Sequence, residues 1–367
     1  MVRGESPAKA KLSEAQWVRR TLRFVLPHTA RIAAITEGRH ALLNLEGRPT
    51  WPIPRTKEGV YCGPYPASDG DAIAQVERAR EDGAEFLLIP KSSFWWLDYY
   101  DGLRRHLASR YRVAFYHALR CMVIALHQET DPPEQLPADG LPLPPPEMMA
   151  MTTGTYSARS FWDSGRLTLH WMIQTLRAHD LGLEAFDAIL DFGCGCGRLM
   201  RHLKEVKGPR LHGVDYNHYV AAWCRRNLPF AEFEHVRGSD PLQYDDETFD
   251  FIYAYSVFTH LEPEAHDFWM RELQRVLRPG GFLYLTLRGE RYADALSGDE
   301  RKRFDAGEMV VQVPNASGSN ACLAHHPESY VRERLAPELS LVDLIPSDEA
   351  AELGDPYLDI ALFAKPG

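Results

Sequence analysis

The sequence has few cysteines and no long hydrophobic run. Its 367 residues include only 6 cysteines, too few and too scattered for a disulfide framework, so we expect a reducing compartment. No apolar stretch approaches the roughly 20 residues that a membrane-spanning helix needs, and the N-terminus lacks the apolar run of a signal peptide. The sequence therefore predicts a cytoplasmic protein with no membrane partner.

Basic residues are outnumbered by acidic ones, 41 to 51. The formal net charge of −10 argues against broad contact with the phosphates of a nucleic acid.

The adjacent pairs His325-His326 and His266-Asp267 lack a second pair at ligand spacing, so we predict no metal site. The chain is longer than one ordinary hydrophobic core, which predicts two domains.

A proline-rich segment separates two patterned regions. The stretch "ETDPPEQLPADGLPLPPPE" has almost no aromatic or β-branched residues, and we interpret it as a linker over residues 129–147. It divides a domain of residues 1–128 from one of residues 148–367. An ordered loop packed along one domain is the alternative that composition leaves open.

The first region alternates short apolar runs with helical patterns, which predicts a smaller N-terminal α/β domain with parallel strands. It has no glycine-rich phosphate loop, so nothing in it indicates a reaction. The aromatic run "FWWLDYY" either lines a binding cleft or subunit contact, or packs into the domain's own core. A homodimer through this domain is a further expectation.

The second region predicts a doubly wound, seven-stranded Rossmann-like sheet, which binds ligands beyond the carboxyl ends of its strands. The stretch "ILDFGCGCGRL" contains the end of the first strand and the turn after it. Its glycines follow Asp191 with the spacing G-x-G-x-G, whereas a dinucleotide-binding turn has the spacing G-x-G-x-x-G. An anionic pyrophosphate would be repelled by Asp191, so the turn suits another ligand. Asp215 ends the second strand, where a carboxylate can bind ribose hydroxyls.

From about Tyr156 onward the chain resembles the class I S-adenosylmethionine-dependent methyltransferases. The matching stretches, in order, are "LDFGCGCGRL", "GVDYN", "ETFDFIYAYSVFTHL" and "ELQRVLRPGGFLYLTLRG". The motifs "CGCGR", "SVFTHL" and "SFWDSGR" are similar to those of methyltransferases encoded in bacterial glycan and natural-product gene clusters. The first domain resembles a module found beside glycosyltransferases. The resemblance implies an enzyme that uses S-adenosylmethionine.

The resemblance also implies which residues bind the cofactor. They are Asp191, Gly193, Cys194, Gly195, Gly197, Asp215, Tyr216, Ser239, Asp240, Ser256 and Arg166. The glycine turn would hold the methionine part with Asp191 near its ammonium, and the loop of Ser239 and Asp240 would flank the adenine. Ser256 would lie beside the methyl group. Arg166 either reaches the cofactor carboxylate or is a surface arginine.

The cysteines of the turn have a structural explanation. They are not spaced C-x-x-C and have no further ligands nearby, so they are interpreted as small buried residues.

Two histidines are candidates for a general base. His260 follows the fourth strand at its carboxyl edge, where it either removes a proton from the acceptor or packs against the next helix. His326 and Asn320 lie in a stretch that roofs the acceptor pocket in many members of the family.

Three functions remain open at this level. They are O-methylation of a small-molecule, glycan or natural-product acceptor, methylation of a peptide or protein, and a non-catalytic cofactor-binding scaffold.

Overall fold

The computed structural model describes residues 13–56, 58–63, 65–117, 120–127, 139–314, 318, 322–347 and 357–367. It divides the chain into two compact units, Met1–Thr130 and Asp131–Gly367. None of the helices in the described ranges combines the length and the hydropathy that crossing a membrane requires.

The N-terminal unit is a five-stranded sheet with helices. Its strands are β1 (Ile32–Ile35), β2 (Thr50–Ile53), β3 (Phe86–Pro90), β4 (Arg112–His117) and β5 (Cys121–Ala125). Its helices are α1 (Glu14–Val25), α2 (Asp69–Glu81), α3 (Trp95–Tyr99) and α4 (Asp101–Arg110), with short 3-10 turns at His40–Leu43 and Lys91–Ser93.

The strand order in this unit is β2-β1-β3-β5-β4. As predicted, β1 and β3 are parallel, but β5 is antiparallel to both of its neighbours. The fully parallel arrangement was therefore wrong, because the connection between β4 and β5 is too short for the crossover that parallel strands need. The aromatic run of α3 is divided between the core and the surface. Trp96 is fully buried, whereas Tyr99 is 73% exposed.

The C-terminal unit contains the larger sheet. Its strands are β6 (Ala188–Phe192), β7 (Arg210–Asp215), β8 (Glu232–His235), β9 (Phe249–Ala254), β10 (Leu277–Leu287), β11 (Val310–Gln312), β12 (Leu323–His325), β13 (Ser340–Ile345) and β14 (Asp359–Ala364). Its helices are α5 (Pro146–Thr153), α6 (Ala158–Ala178), α7 (His218–Asn227), α8 (Pro263–Val276), α9 (Gly298–Asp305) and α10 (Glu328–Tyr330). Single 3-10 or π turns lie at Leu183–Ala185, Met200–Leu203, Phe258–His260, Glu290–Ala295 and Val331–Leu335.

Seven of these strands form one sheet in the order β13-β14-β10-β9-β6-β7-β8, which confirms the predicted doubly wound architecture. Only β14 runs antiparallel to its neighbours, β10 and β13. Both faces of β6 are buried, since Leu190 and Ile189 enter different hydrophobic clusters. The carboxyl ends of β6, β7 and β9 therefore meet at one edge of the sheet.

Two local features differ from the sequence pattern. After the glycine turn the chain forms only turns and the 3-10 segment Met200–Leu203 instead of the α-helix that the pattern predicts. A separate two-stranded sheet, β11 with β12, follows β10 and has no counterpart in the predicted elements.

The described part of the proline-rich segment contacts the C-terminal unit. Asp139 forms two hydrogen bonds with the guanidinium of Arg201, at 2.9 and 3.0 Å, and the Arg201 side chain is only 1% exposed. Lys204 donates to the Asp139 carbonyl at 2.8 Å, and Leu141 packs against the core. Residues 139–147 thus lie along this unit, as the ordered-loop alternative describes.

This contact gives a stability prediction. Asp139→Ala should lower the free energy of unfolding of the C-terminal unit by about 3 to 5 kcal/mol at pH 7, because Arg201 would remain buried without its partner. Denaturant unfolding measures the effect, and Glu205→Ala, which removes an exposed carboxylate nearby, should change the unfolding free energy by less than about 0.5 kcal/mol. A fragment beginning at residue 148 should lose at least as much stability as Asp139→Ala, because it also lacks Leu141 and the start of α5, and one beginning at residue 131 should not.

The effect of Asp139 should depend on pH. Burial alone would raise the pKa of the Asp139 carboxyl, but the hydrogen bonds from Arg201 outweigh it and the pKa is lowered from 3.8. The stabilisation is present above that unfolded value and is lost as pH falls through the lower folded pKa. The difference between wild type and Asp139→Ala should therefore shrink in strong acid.

Candidate active site

The turn between β6 and the following segment depends on glycines. Gly193, Gly195 and Gly197 have φ of 80°, 52° and 76°, a region that residues with a Cβ rarely adopt. A Cβ on Gly193 would lie 2.3 Å from Cγ2 of Val257. The turn therefore exposes bare backbone at the carboxyl edge of the sheet, as a closely held ligand requires.

Asp215 holds this turn to the second strand. Its two carboxylate oxygens accept hydrogen bonds at 2.7 Å, one from the N–H of Gly195 and one from the N–H of Asn217. Burial raises the pKa of Asp215 to about 6, and these two N–H donors counteract the rise. The side chain thus lies where the sequence places the ribose-binding carboxylate, beside the glycine turn.

Asp191 is buried beneath the turn and is 3% exposed. Burial raises its pKa to about 7, the Tyr253 hydroxyl opposes that rise, and the neighbouring Asp215 carboxylate adds to it. Arg198 also favours the charged form of Asp191. A carboxyl group with this pKa is partly protonated near neutral pH.

The cysteines pack behind the turn. Cys194 is 4% exposed, and its thiol lies 3.5 Å from the Gly195 carbonyl, which the Cys224 thiol also contacts at 3.4 Å. The pKa of Cys194 is raised, first by the Cys224 thiol and then by burial, so the sulfur is a neutral thiol. Within the described ranges, no group of three or more His, Cys, Asp or Glu side chains is arranged to hold a metal ion.

The other predicted cofactor residues lie at more exposed positions. Ser239 and Asp240 occupy an exposed turn after β8, and the Asp240 N–H donates to the Arg237 carbonyl. Tyr216 directly follows Asp215 and is 37% exposed. Arg166 is exposed on α6, as its surface interpretation describes.

The end of β9 has a strained conformation. Ser256 has φ of 57°, and its N–H donates to Oγ1 of Thr286 at 2.7 Å, which joins β9 to β10. Its hydroxyl lies 3.2 Å from Oγ1 of Thr259 and 3.4 Å from Nε2 of His260. The structure thus brings Ser256 and His260 together at the carboxyl edge.

A loop segment covers His260. Nδ1 of His260 lies 2.7 Å from the carbonyl oxygen of Cys322, and the N–H of Gly318 donates to the His260 carbonyl at 2.7 Å. A Cβ on Gly318 would be 3.6 Å from the Tyr216 ring. The described parts of this loop therefore connect Tyr216, beside the cofactor turn, with His260.

The structure places His326 in a different environment. It is 1% exposed, and its Nε2 lies 3.4 Å from Nε2 of His266, which contacts the Phe258 carbonyl at 2.8 Å. Burial lowers the pKa of His326 well below its usual value. No hydrogen bond among the described residues joins His326 to His260. Asn320 lies outside the described residues.

Two residues of this site were missed by sequence reasoning. Arg198 is 7% exposed, donates to Oγ1 of Thr168 at 3.2 Å and lies over the Tyr255 ring. A Cβ on Gly165 would be 2.3 Å from the Arg198 carbonyl, so the "SGR" glycine lets α6 approach the turn.

The second residue is Thr286, which is fully buried near the carboxyl end of β10. A threonine within the otherwise apolar end of β10 is the feature of the sequence that could have identified Thr286.

The fold and this edge define a class of protein. A doubly wound seven-stranded sheet with a terminal antiparallel strand, a positive-φ glycine turn and a carboxylate after the second strand define the class I S-adenosylmethionine-dependent methyltransferase domain. A family model described as "Methyltransferase domain" matches residues 190–285, and this part of the chain belongs to that family. The predicted class of domain and its cofactor, S-adenosylmethionine, are confirmed.

Curated relatives share this part of the chain. The sterol 24-C-methyltransferase erg6 of Schizosaccharomyces pombe is 33% identical over 110 residues, which cover 28% of this chain and 28% of that protein. The fatty-acid O-methyltransferase of Mycolicibacterium smegmatis is 34% identical over 130 residues, which cover 35% of this chain and 42% of that protein. The chain therefore matches less than half the length of either relative.

Solved structures are similar at lower identity. The 1,6-didemethyltoxoflavin-N1-methyltransferase of Burkholderia thailandensis is 20% identical, with a TM-score of 0.38, and the match covers 67% of this chain and 96% of that one. A methyltransferase of Methanosarcina mazei is 23% identical, with a TM-score of 0.38, over 52% of this chain and 97% of that one.

The first site prediction concerns Asp215. Asp215→Ala should weaken binding of S-adenosylhomocysteine by about 1 to 3 kcal/mol, because charge-assisted hydrogen bonds to the ribose and to the glycine turn are lost. Titration calorimetry measures the affinity. The exposed carboxylate variant Asp245→Ala should bind as wild type does. Equal affinity in Asp215→Ala would remove this residue from the cofactor site.

The second site prediction concerns Asp191 and pH. Its folded pKa of about 7 lies above the unfolded value of 3.8, so the folded state keeps a proton that the unfolded state loses. Its stabilising contribution is present below pH 3.8 and is lost as pH rises towards 7. Asp191→Asn should therefore gain unfolding free energy relative to wild type between about pH 4 and pH 8.

Denaturant unfolding across that pH range tests this prediction. Asp187→Asn, at the exposed start of the same strand, is the matched control and should follow the wild-type curve. A constant difference between Asp191→Asn and wild type at every pH would show that Asp191 does not titrate in this range.

Proposed function

We propose that the protein transfers the methyl group of S-adenosylmethionine to an oxygen of a small-molecule, glycan or natural-product acceptor, with His260 as the general base. The observation that carries this proposal is the tautomer of His260. A carbonyl oxygen only accepts hydrogen bonds, so the 2.7 Å contact with the Cys322 carbonyl requires a proton on Nδ1. In the neutral ring Nε2 then carries the lone pair that accepts a proton.

The surroundings of His260 suit this role. Its Nε2 lies 3.4 Å from the Ser256 hydroxyl, at the end of the strand that the resemblance places beside the methyl group. The strained backbone of Ser256 is held by the fully buried Thr286 hydroxyl, so the position of the pair is fixed by the sheet. A base fixed in this way needs little reorganisation when an acceptor binds.

The chemistry is an in-line methyl transfer. S-adenosylmethionine supplies an electrophilic methyl group on a sulfonium sulfur. The glycine turn and Asp215 would hold that cofactor, and His260 Nε2 would take the proton of the acceptor hydroxyl as its oxygen forms the new bond to carbon.

One relative supports oxygen as the acceptor atom, since the protein from Mycolicibacterium smegmatis is named a fatty-acid O-methyltransferase. The competing functions are methylation of a peptide or protein, and cofactor binding without catalysis. Incubating the protein with labelled S-adenosylmethionine and extracts from its source, followed by mass identification of the labelled product, separates all three.

The test of His260 uses the acceptor found in that way. His260→Gln should lower kcat by about 10²- to 10⁴-fold, the usual contribution of a positioned base, while the affinity for S-adenosylhomocysteine stays within a factor of about two. Glutamine keeps a neutral polar side chain of similar size but cannot take up a proton, so the substitution removes the base.

The matched control is His170→Gln, which changes an exposed histidine on α6 and should leave both quantities unchanged. Wild-type turnover in His260→Gln on a hydroxyl acceptor would eliminate His260 as the base. An acceptor that is methylated on a carboxylate would also contradict the proposed role, because a carboxylate needs no base at neutral pH.

A further inference from the structure

A half-buried arginine lies near the proposed acceptor site. Arg288 directly follows β10, and its Nε has no hydrogen-bond partner among the described residues. Its guanidinium lies 3.9 Å from the centre of the Tyr292 ring, and no carboxylate in the described ranges influences its charge. A desolvated guanidinium without a counter-ion is costly to keep in a folded protein.

Arg288 lies near a histidine that is more deeply buried. His325 is fully buried, and neither of its ring nitrogens has a hydrogen-bond partner in the part of the chain that the structure describes. Burial and then the nearby Arg288 guanidinium lower the pKa of His325 to about 4, against an opposing effect of the Glu300 carboxylate, so this imidazole is neutral at pH 7. Gln312 donates to the Glu300 carboxylate at 3.0 Å on the same side of β11 and β12.

One short segment joins this pair to His260. At its start, the Cys322 carbonyl accepts from His260, and at its end the N–H of His326 donates to the Arg288 carbonyl at 2.8 Å. An extended chain of this length spans at most about 14 Å. Arg288 also lies two residues beyond Thr286, which bonds Ser256. His260 and Arg288 therefore belong to neighbouring segments at the same edge of the sheet, which are joined through Cys322–His326 and through the bond between Ser256 and Thr286.

We propose that Arg288, assisted by His325, binds a carboxylate group of the acceptor whose hydroxyl is methylated beside His260. This inference rests on the proposed function and narrows it, because the acceptor class becomes a hydroxy acid. The hydroxyl loses its proton to His260 and gains the methyl group, while the carboxylate stays unmodified and fixes the orientation of the molecule.

The number of charges favours a carboxylate over a phosphate. A single guanidinium matches one negative charge with a planar fork of donors, the geometry that a carboxylate accepts in two parallel hydrogen bonds. His325 is neutral and adds at most one donor, so the pair does not balance the second charge of a phosphate monoester.

The test measures binding to protein saturated with S-adenosylhomocysteine, so that no turnover is needed. Calorimetric titration compares 3-hydroxybenzoate with 3-hydroxybenzamide, which has a similar shape but no charge. We expect the acid to bind at least 10-fold more tightly than the amide, and Arg288→Gln to remove that preference by weakening the acid alone by about 10- to 100-fold. Arg288→Lys should retain part of the preference, because it keeps the charge but not the fork.

The controls separate this inference from the proposed function. Arg303→Ala, which removes an exposed arginine on α9 that pairs with Glu308, should bind both probes as wild type does. Equal affinity for acid and amide, no binding of the acid, or an unchanged preference in Arg288→Gln would overturn the carboxylate site while S-adenosylhomocysteine still binds. Failure of S-adenosylhomocysteine itself to bind would instead refute the proposed function. Binding of S-adenosylhomocysteine by each variant shows that its C-terminal unit is folded.

Discussion

The hydrogen bond from the Gly195 N–H to the Asp215 carboxylate is the interaction on which the C-terminal unit is organised. It joins the turn after β6 to the end of β7, so the two central strands present their carboxyl ends together. The bond forms only because the turn adopts positive φ, which brings backbone where a side chain would clash. We propose that the same carboxylate also binds the ribose, which would couple the geometry of the turn to recognition of the cofactor.

Burial of charged groups follows from this arrangement. Asp191 and Arg198 lie beneath the turn with 3% and 7% exposure, and Arg201 is covered by Asp139 from the proline-rich segment. Buried charges are stable only when they are paired or when their ionisation shifts. Arg201 is paired, and Asp191 shifts its pKa to about 7. Burial lowers the pKa of Arg288 from its usual value and no described carboxylate pairs with it, which is why we propose it as a ligand site.

The sequence predicted the large sheet well because its signals are local. The central strands β6 and β9 and the strand β14 are short, largely apolar runs, and Asp215 at the end of β7 follows the glycine turn after β6. The roles assigned to cofactor and acceptor residues stay predictions, although Asp215 and His260 lie at the expected edge. Arg198, by contrast, was not predicted as a site residue, since its burial depends on α6 and Gly165, far away in the chain.

The sequence by itself predicted a doubly wound sheet and a glycine turn followed by a carboxylate, because these features depend on periodicity and spacing within short segments, and its resemblance to a known family implied the class of domain. Tertiary structure decided which polar groups meet. The proton on His260 is fixed by the carbonyl of Cys322, and Asp139 reaches Arg201 across a similar separation. Such pairings depend on how distant segments pack, and no local pattern encodes a contact between residues that are about 60 positions apart.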